Sequence, residues 1–517
     1  MTLPVIWSIA GTDSAGGAGL AADQRAADAL GVHLCPVVAA VTAQHSRAVT
    51  RVEPVAPELL EAQLEALAAD LPPRVVKTGL LGSAAHVHAV ARWIDRLREA
   101  GPVALVVDPV LAASTGRGFA DDEALAAYRD VLLPRATLAT PNHREAERLL
   151  GLAPGADGAP ALARGLRALG AASVAVTGGD EPGRDGLALD WIATPHAEGW
   201  LAAPRVATPH HHGTGCTFAS SAAAALALGF VAADALVLAK MATLHALRRG
   251  HAAGAGAGPV KAAPFAADPT LLPQLSWGEA PAFTAAGLPT ARPLGLYAIV
   301  DSAARVQQVL AAGVRTVQLR IKTEALTPAL EAEVRDAVAA CREAGAELFV
   351  NDHWRLAQRL GAPGVHLGQE DLLALGDADR AALRASGLAL GISSHSLWEL
   401  ARTTAIAPRY VACGPVWPTL TKAMPWRPQG LDNLAWWCAM AGRPVVAIGG
   451  LLEAAQFEAA AACGADGVCA VRVLGDEPTL TVPALQRSLA AGRAAARTPP
   501  PALPHPSLDA GFGAALA

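Results

Sequence analysis

Between residues 294 and 497 a short β-branched run followed by a helical pattern recurs eight times. The expected strands are 295–300, 314–321, 347–352, 364–367, 388–393, 410–414, 444–448 and 467–471, with helices such as 302–312, 328–344, 396–407 and 453–463 between them. A helix after every strand excludes hairpins and forces parallel pairing. Eight such units in so short a stretch predict a TIM (β/α)8 barrel, whose functional residues belong at the C-terminal ends of the strands.

Residues 1–250 also alternate, but with a different count and spacing. Strands are expected at 5–10, 34–41, 74–78, 103–108, 137–140 and 173–177, and helices at 57–69, 85–100, 122–132, 143–150 and 160–169. A β-rich pair follows at 185–206, and the small-residue run Cys216–Gly229 reads as a buried helix. This pattern predicts an open α/β sheet with helices on its faces. Between the halves, 251–293 is rich in Gly and isolated Pro and has no sustained period, so it is expected to be a linker, the alternative being that part of 264–290 packs as irregular structure on either domain. The segment 498–517, opening on Thr-Pro-Pro-Pro, is expected to be a disordered tail. A length of 517 residues exceeds what one core supports.

With 41 basic and 46 acidic residues, the chain lacks the clustered positive charge that nucleic acid requires. Seven scattered cysteines without metal spacing predict reduced thiols. No apolar run reaches spanning length, and no signal core opens the sequence. A cytoplasmic protein without membrane or nucleic-acid partners is expected, and a homo-oligomer stays open.

In the first half, His212-Gly213-Thr214-Gly215-Cys216 opens the small-residue helix. Unpaired N–H groups at such a terminus bind anionic oxygens and should favour a Cys216 thiolate; the alternative is a Gly-rich turn ahead of a core helix with a buried, inert Cys. Asn142 and Glu145 follow the strand at 137–140; they could hold Mg²⁺ waters beside phosphates or form an ordinary capping pair. Lys77 and Asp108 lie at strand C-terminal ends, where open α/β sheets bind ligands.

These residues join Ala10-Gly11-Thr12-Asp13-Ser14, Gly16-Gly17-Ala18-Gly19, Ala22-Asp23, Thr42-Ala43-Gln44, Val76-Lys77-Thr78-Gly79, Asp108-Pro109-Val110 and Thr140-Pro141-Asn142 in order. The set resembles the ribokinase-like kinases, and specifically the hydroxymethylpyrimidine/phosphomethylpyrimidine kinases, whose branch carries Cys where most relatives have Asp. The resemblance implies a ribokinase-like α/β sandwich in which Asp23 and Gln44 contact an aminopyrimidine. It makes Cys216 the base for the accepting hydroxyl and has Glu145 organise Mg²⁺ through water. Lys77, Asp108, Asn142, Thr177, Gly213, Thr214 and Gly215 would then surround ATP and its phosphates. One departure stands out: relatives carry Lys-Gly-Gly-His where this chain has Thr177-Gly178-Gly179-Asp180. Losing that cation predicts weaker ATP binding or a substitute, with Lys240 the candidate.

In the second half, Gln318, Arg320 and Lys322 alternate with apolar residues and are expected on one inward face. Asn351-Asp352 ends the third strand and Asp371 follows the fourth; two carboxylates on neighbouring strand ends could grip one Mg²⁺ that holds a diphosphate. Thr419, Thr421 and Lys422 follow the sixth strand, and Gly449-Gly450 ends the seventh, in the region of the usual barrel phosphate site. With Gly364 to Asp371, Gly391-Ile392-Ser393 and Gly414 to Lys422, these motifs resemble thiamine-phosphate synthase over 294–475.

That resemblance implies condensation of a pyrimidine methyl diphosphate with a thiazole phosphate and release of diphosphate. Arg320, Lys322 and Lys422 would stabilise the leaving diphosphate, with Mg²⁺ on Asp352 and Asp371. Gln318, Asn351 and Ser393 would surround the pyrimidine and its leaving group, while Thr419, Thr421, Gly449 and Gly450 position the thiazole phosphate. Arg472 stands where relatives carry Ser and would add charge to a phosphate contact. The chain is therefore expected to be a bifunctional transferase of thiamine biosynthesis, using ATP as co-substrate. The alternatives are a pyridoxal-type kinase or a degenerate non-catalytic module as the first half.

Overall fold

The computed structural model describes residues 2–112, 119, 121–179, 185–283, 293–323, 325–419 and 425–508. They form two compact units: one from Met1–Phe265 and Leu271–Pro281, the other from Ala266–Thr270 and Ala282–Leu508.

The first unit is built on a ten-stranded sheet. Its strands are β1 Val5–Gly11, β2 His33–His45, β3 Ala48–Pro54, β4 Val75–Thr78, β5 Ala104–Val107, β6 Leu138–Ala139, β7 Val174–Val176, β8 Leu187–Ala193, β9 Glu198–Pro204 and β10 Gln274–Leu275. The spatial order is β10-β9-β8-β7-β6-β5-β4-β1-β2-β3. The central strands β2-β1-β4-β5-β6-β7 are parallel, and both edges close with antiparallel pairs. Strands β4 and β5 are buried at every position, because helices cover both faces of a parallel sheet. Trp7, Ile9, Val37, Val76, Leu105 and Val107 lie in that core.

Part of the segment expected as a linker packs on the first unit. The segment 251–293 is not uniformly a linker: Gln274 and Leu275 pair with Ala202 and Leu201 as the last strand, and Ser276 Oγ accepts from Trp200 N at 2.8 Å. A two-residue strand needs no sequence period, so composition could not reveal it. The hairpin strand β3 was likewise not anticipated.

The second unit is a closed barrel of eight parallel strands: β11 Gly295–Val300, β12 Thr316–Leu319, β13 Glu347–Asn351, β14 Gly364–Leu367, β15 Ala389–Ser394, β16 Tyr410–Cys413, β17 Val445–Ala447 and β18 Gly467–Ala470. Three aromatic rings fill its interior. Tyr410 meets Tyr297 and Phe349 edge-on, with centroids 5.5 and 5.0 Å apart. Inward glycines make the room: a Cβ on Gly391 would run into the Tyr410 ring, its partner in register, and one on Gly364 would lie 2.7 Å from Phe349. The tail is ordered through 508, against expectation. His505 exchanges two hydrogen bonds with Asn433, at 2.8 and 3.0 Å, and Ser507 is buried. These polar contacts offset the entropy that its Pro-rich sequence suggested would win. Residues 509–517 lie outside the described residues.

Candidate active sites

In the first unit the two ends of the motif set meet. Asp13 accepts from Ala15, Gly17 and Ala18 N–H groups at 2.8–3.0 Å and from His212 Nε2 at 2.9 Å. Burial alone would raise its carboxyl; the His212 and backbone donors overcome this and hold it below the ordinary carboxylate range. The approach depends on glycine. A Cβ on Gly17 would strike the His212 ring, and Gly213, at φ +83°, would strike the Gly17 carbonyl. Gly213 caps the helix Thr214–Ala227, so Thr214, Gly215 and Cys216 present its first turn. Gln44, on β2, has its amide 3.3 Å from His212 Nε2. The expected linker also contributes, since His212 exchanges backbone hydrogen bonds with Gly258 and Val260, both at 3.0 Å.

Beneath this rim lies buried charge. Asp23 is fully buried, and its oxygens accept from Lys77 Nζ at 3.0 and 3.1 Å, Ser8 Oγ at 2.7 Å and Ser220 Oγ at 2.7 Å. A carboxylate so enclosed cannot touch a pyrimidine, which corrects its expected role: Asp23 anchors Lys77. Lys77 is equally enclosed, and its ammonium stands 3.7 Å from Asp108 Oδ2, an oxygen with no hydrogen-bond partner among the described residues. Its pKa is raised: burial opposes the charge, but Asp23 and the other anionic neighbours prevail. Burial pushes the Asp108 carboxyl up to about 6, with Lys77 opposing. The expected Cys216 thiolate is also corrected. Burial, with Asp23 and Asp108 nearby, raises the thiol to about 12, outweighing Lys77 and the Gly19 backbone contact. A protonated thiol is not a ready base.

Asn142 and Glu145 form the capping pair: each backbone N–H donates to the other's side chain, at 2.9 and 3.0 Å. Thr177 bridges to Asn142 in parallel register. Lys240 does come near, but its ammonium is bound to Asp190 at 2.7 Å, and the other Asp190 oxygen accepts from Gly178 N at 3.0 Å. The expected substitute cation is therefore already paired. Asp180 lies outside the described residues.

In the barrel, Gln318 and Asn351 are buried near the C-terminal strand ends, at 2% and 7% exposure, and Arg320 is half-buried just beyond β12. That strand stops at Leu319, so the period-two argument does not reach Lys322, which is exposed. Asp352 and Asp371 are exposed beyond β13 and β14. Asp352 takes φ +66°, and Asp371 Oδ2 accepts from Gly368 N at 2.7 Å. Gly449 and Gly450 have positive φ and lie against Pro415 and Trp417; a Cβ on either would lie 2.6–2.7 Å from that segment. Arg472 is exposed just beyond β18, and Thr419 is half-buried. Thr421 and Lys422 lie outside the described residues.

Sequence reasoning missed a buried polar chain beneath this rim. Ser393 Oγ lies 2.9 Å from His366 Nε2, His366 Nδ1 lies 2.8 Å from the Tyr410 hydroxyl, and that hydroxyl lies 2.6 Å from Tyr297's. Burial pushes the His366 imidazole down to about 4, with Arg320 and His395 adding like-charge opposition. Gln369 braces the same corner, its amide donating to Thr403 Oγ1 at 2.9 Å and to the Ser393 carbonyl at 3.2 Å.

Among the described residues no group of three or more His, Cys, Asp or Glu is placed to hold a metal. Two carboxylates are nonetheless hard oxygen donors that suit Mg²⁺ when substrate phosphates and water complete its shell. No helix among the described residues is long and apolar enough to cross a membrane.

Comparison with known proteins gives each unit a family. Residues 13–261 match the family model for phosphomethylpyrimidine kinase, and residues 296–474 match that for thiamine monophosphate synthase. A probable thiamine biosynthetic bifunctional enzyme, chloroplastic, from Oryza sativa subsp. japonica is 33% identical over 500 residues, 93% of this chain and 87% of the relative. A hydroxymethylpyrimidine/phosphomethylpyrimidine kinase from Synechococcus elongatus is 40% identical over 261 residues, covering 50% of this chain and 97% of the relative. A thiamine-phosphate synthase from Neisseria meningitidis serogroup A is 46% identical over 188 residues, covering 36% of this chain and 89% of the relative. With both motif sets carried on separate α/β units and one relative spanning them together, this chain belongs to the bifunctional thiamine biosynthetic enzymes, a kinase joined to a thiamine-phosphate synthase.

Proposed function

We infer that the first unit phosphorylates hydroxymethylpyrimidine and its monophosphate with ATP, and that the barrel joins the resulting diphosphate to thiazole phosphate. The observation that carries this reading is the meeting of Asp13, Gln44 and His212 at a glycine-shaped helix N-terminus. Gln44 offers an amide to an aminopyrimidine edge, while the first turn at Gly213–Cys216 offers N–H groups to a transferring phosphoryl group. Phosphoryl transfer rests on positioning and charge stabilisation rather than on a strong base. A protonated Cys216 is compatible with that chemistry, as a hydrogen-bond donor rather than a proton acceptor. Lys77 and Asp108 tune the field from beneath.

In the barrel, Arg320 and Lys322 draw charge from the departing diphosphate, with Lys422 as their partner from the following loop. Asp352 and Asp371 are the residues that would hold Mg²⁺, which supplies charge neutralisation at the diphosphate when bound. Gln318, Asn351 and Ser393 surround the pyrimidine and its leaving group, with Ser393 facing the diphosphate, and Thr419, Thr421, Gly449, Gly450 and Arg472 receive the thiazole phosphate. In the first unit, Glu145 would reach a second Mg²⁺ through water, sharing its carboxylate with the cap. Small water-borne substrates and seven free cysteines support a reduced aqueous compartment, which we assign as the cytoplasm.

The test supplies the full chain with hydroxymethylpyrimidine, thiazole phosphate and Mg-ATP and measures thiamine phosphate. Formation is expected, and Arg320→Ala should lower kcat about 100-fold or more, the scale of losing one charge-stabilising group. A folded Arg320→Ala protein at normal speed would sink the barrel assignment.

A further inference from the structure

The polar chain under the synthase rim has a direction, and that direction decides what Ser393 can do. Gln318 Nε2, which can only donate, lies 3.4 Å from the Tyr297 hydroxyl oxygen. Tyr297 then has its own hydrogen left for Tyr410, 2.6 Å away. Tyr410 in turn spends its single hydrogen on His366 Nδ1, at 2.8 Å. Both ring nitrogens of His366 face hydroxyls rather than carboxylates, so the buried ring is neutral and its hydrogen sits on Nε2. Nε2–H donates to Ser393 Oγ at 2.9 Å, and the Ser393 hydrogen is turned away from the ring.

The opposite direction fails at its far end. If Ser393 donated to His366 and each later hydroxyl donated onward, the Tyr297 hydrogen would face the Gln318 amide hydrogens. Tyr297 and Tyr410 are about fully buried, at 1% and 0% exposure, so no water stands in as acceptor at either hydroxyl.

We propose that Tyr410 is a positioning residue of the synthase: by donating to His366 Nδ1 it fixes the ring's tautomer and so makes Ser393 a hydrogen-bond donor toward the leaving diphosphate. The proposal rests on the reading that Ser393 faces that leaving group. A donor aimed at an oxygen gaining negative charge stabilises the transition state more than the ground state, so its loss should appear in kcat rather than KM.

Two conservative variants separate this role from packing. Tyr410→Phe removes the hydrogen that pins His366, leaving both tautomers accessible. Tyr297→Phe removes an equally buried hydroxyl but leaves Tyr410 with His366 as its acceptor. The full chain is supplied with pyrimidine diphosphate and thiazole phosphate. Tyr410→Phe should lower kcat about three- to tenfold, the scale of one hydrogen bond, with KM for thiazole phosphate unchanged. Tyr297→Phe should stay within about twofold. Nitrogen-15 NMR of histidine-labelled wild-type chain should show His366 with hydrogen on Nε2, and Tyr410→Phe should shift both ring nitrogens toward a mixture. Hydrogen on Nδ1 in the wild type overturns the proposal, as do equal kinetic losses in the two Phe variants with unmoved ring shifts. Ser393→Ala is the separate control: full activity in it would refute the placement of Ser393 itself rather than the relay.

Discussion

Beneath the kinase rim, Lys77 shares a space closed to water with Asp23 and, 3.7 Å away, Asp108. Beneath the synthase rim, the corresponding polar layer consists of an amide, two phenols, an imidazole and a serine, joined by hydrogen bonds of 2.6–3.4 Å. One floor is ionic and the other neutral. The contrast follows from what each rim must tolerate. A phosphoryl group passing from ATP is anionic throughout, and a fixed buried cation improves the field it moves in. A pyrimidine losing diphosphate becomes electron-poor, so a buried carboxylate or thiolate would compete with the thiazole nitrogen for it. Hydroxyls, and an imidazole whose Nδ1 lone pair already receives the Tyr410 hydrogen, offer no such competition. Cys469 lies in the same barrel core, and burial keeps its thiol protonated.

The largest expected effect strikes the ionic floor. Lys77→Met leaves Asp23 and Asp108 buried without their cation, a change that costs about 3–5 kcal/mol when a buried pair is broken. The first unit should melt early in a urea titration and lose kinase activity. The barrel should still join supplied pyrimidine diphosphate to thiazole phosphate. Loss of both activities together would show that the two floors do not act as separate systems.

A second substitution tests the sign of the charge balance. The Asp108 carboxyl is raised from 3.8 to about 6 in the folded state. Between those values the folded chain binds more protons than the unfolded one, so stability falls as pH rises through that window. Above about pH 6 the carboxylate is ionised in both states, and its burial then costs the fold about 1–3 kcal/mol relative to the unfolded chain. Asp108→Asn should therefore raise the midpoint of urea unfolding at pH 8 and change it little at pH 4, while lowering kinase kcat. A gain at pH 4 and none at pH 8 would reverse the assignment.

The contrast between floors was only half legible in the sequence. The eight βα repeats announced the barrel because each strand is buried on both faces and each helix interval is long enough to cross over. Motif order put Asp13, Gln44 and His212 into one family set, but that His212 meets the other two came only from the fold. What the sequence hid was depth. Asp23 and Lys77 sit in motifs that read as ligand contacts, yet their enclosure depends on Ser8 and Ser220, which are 15 and 197 residues from Asp23 along the chain. Tyr297 and Tyr410 read as ordinary strand residues. A signal was present: the chain has 3 tyrosines, and all of them are buried, Tyr128 donating to the Gly79 carbonyl at 3.2 Å and the other two in the barrel relay. So few phenols, each placed inward, mark hydroxyls retained for hydrogen bonding rather than for bulk. The Gly- and Pro-rich 251–293 left linker and packed segment undecided because composition reports the loss of periodicity, while Gly258 to Val260 and β10 are held by backbone partners that composition cannot name.

The smallest effect probes the place where the ionic floor is incomplete. Thr177 stands where the family resemblance implies a lysine, and Lys240, the expected substitute, is neutralised by Asp190. That pair is not idle, because Asp190 also holds Gly178 N, so Lys240 supports the backbone of the loop instead of facing phosphate. Thr177→Lys adds a charge beside Asn142 without disturbing the pair, since Thr177 holds its strand through a backbone N–H to Pro141 at 2.9 Å. A new ammonium near phosphates in partly solvated surroundings is worth about 1 kcal/mol. The ATP KM should fall about fivefold, with the KM for hydroxymethylpyrimidine unchanged. Steady-state kinetics at low and high salt would read this, because a Coulombic gain at an exposed site shrinks as ionic strength rises. An unchanged ATP KM at low salt would mean that this kinase completes its phosphate field without a cation at position 177.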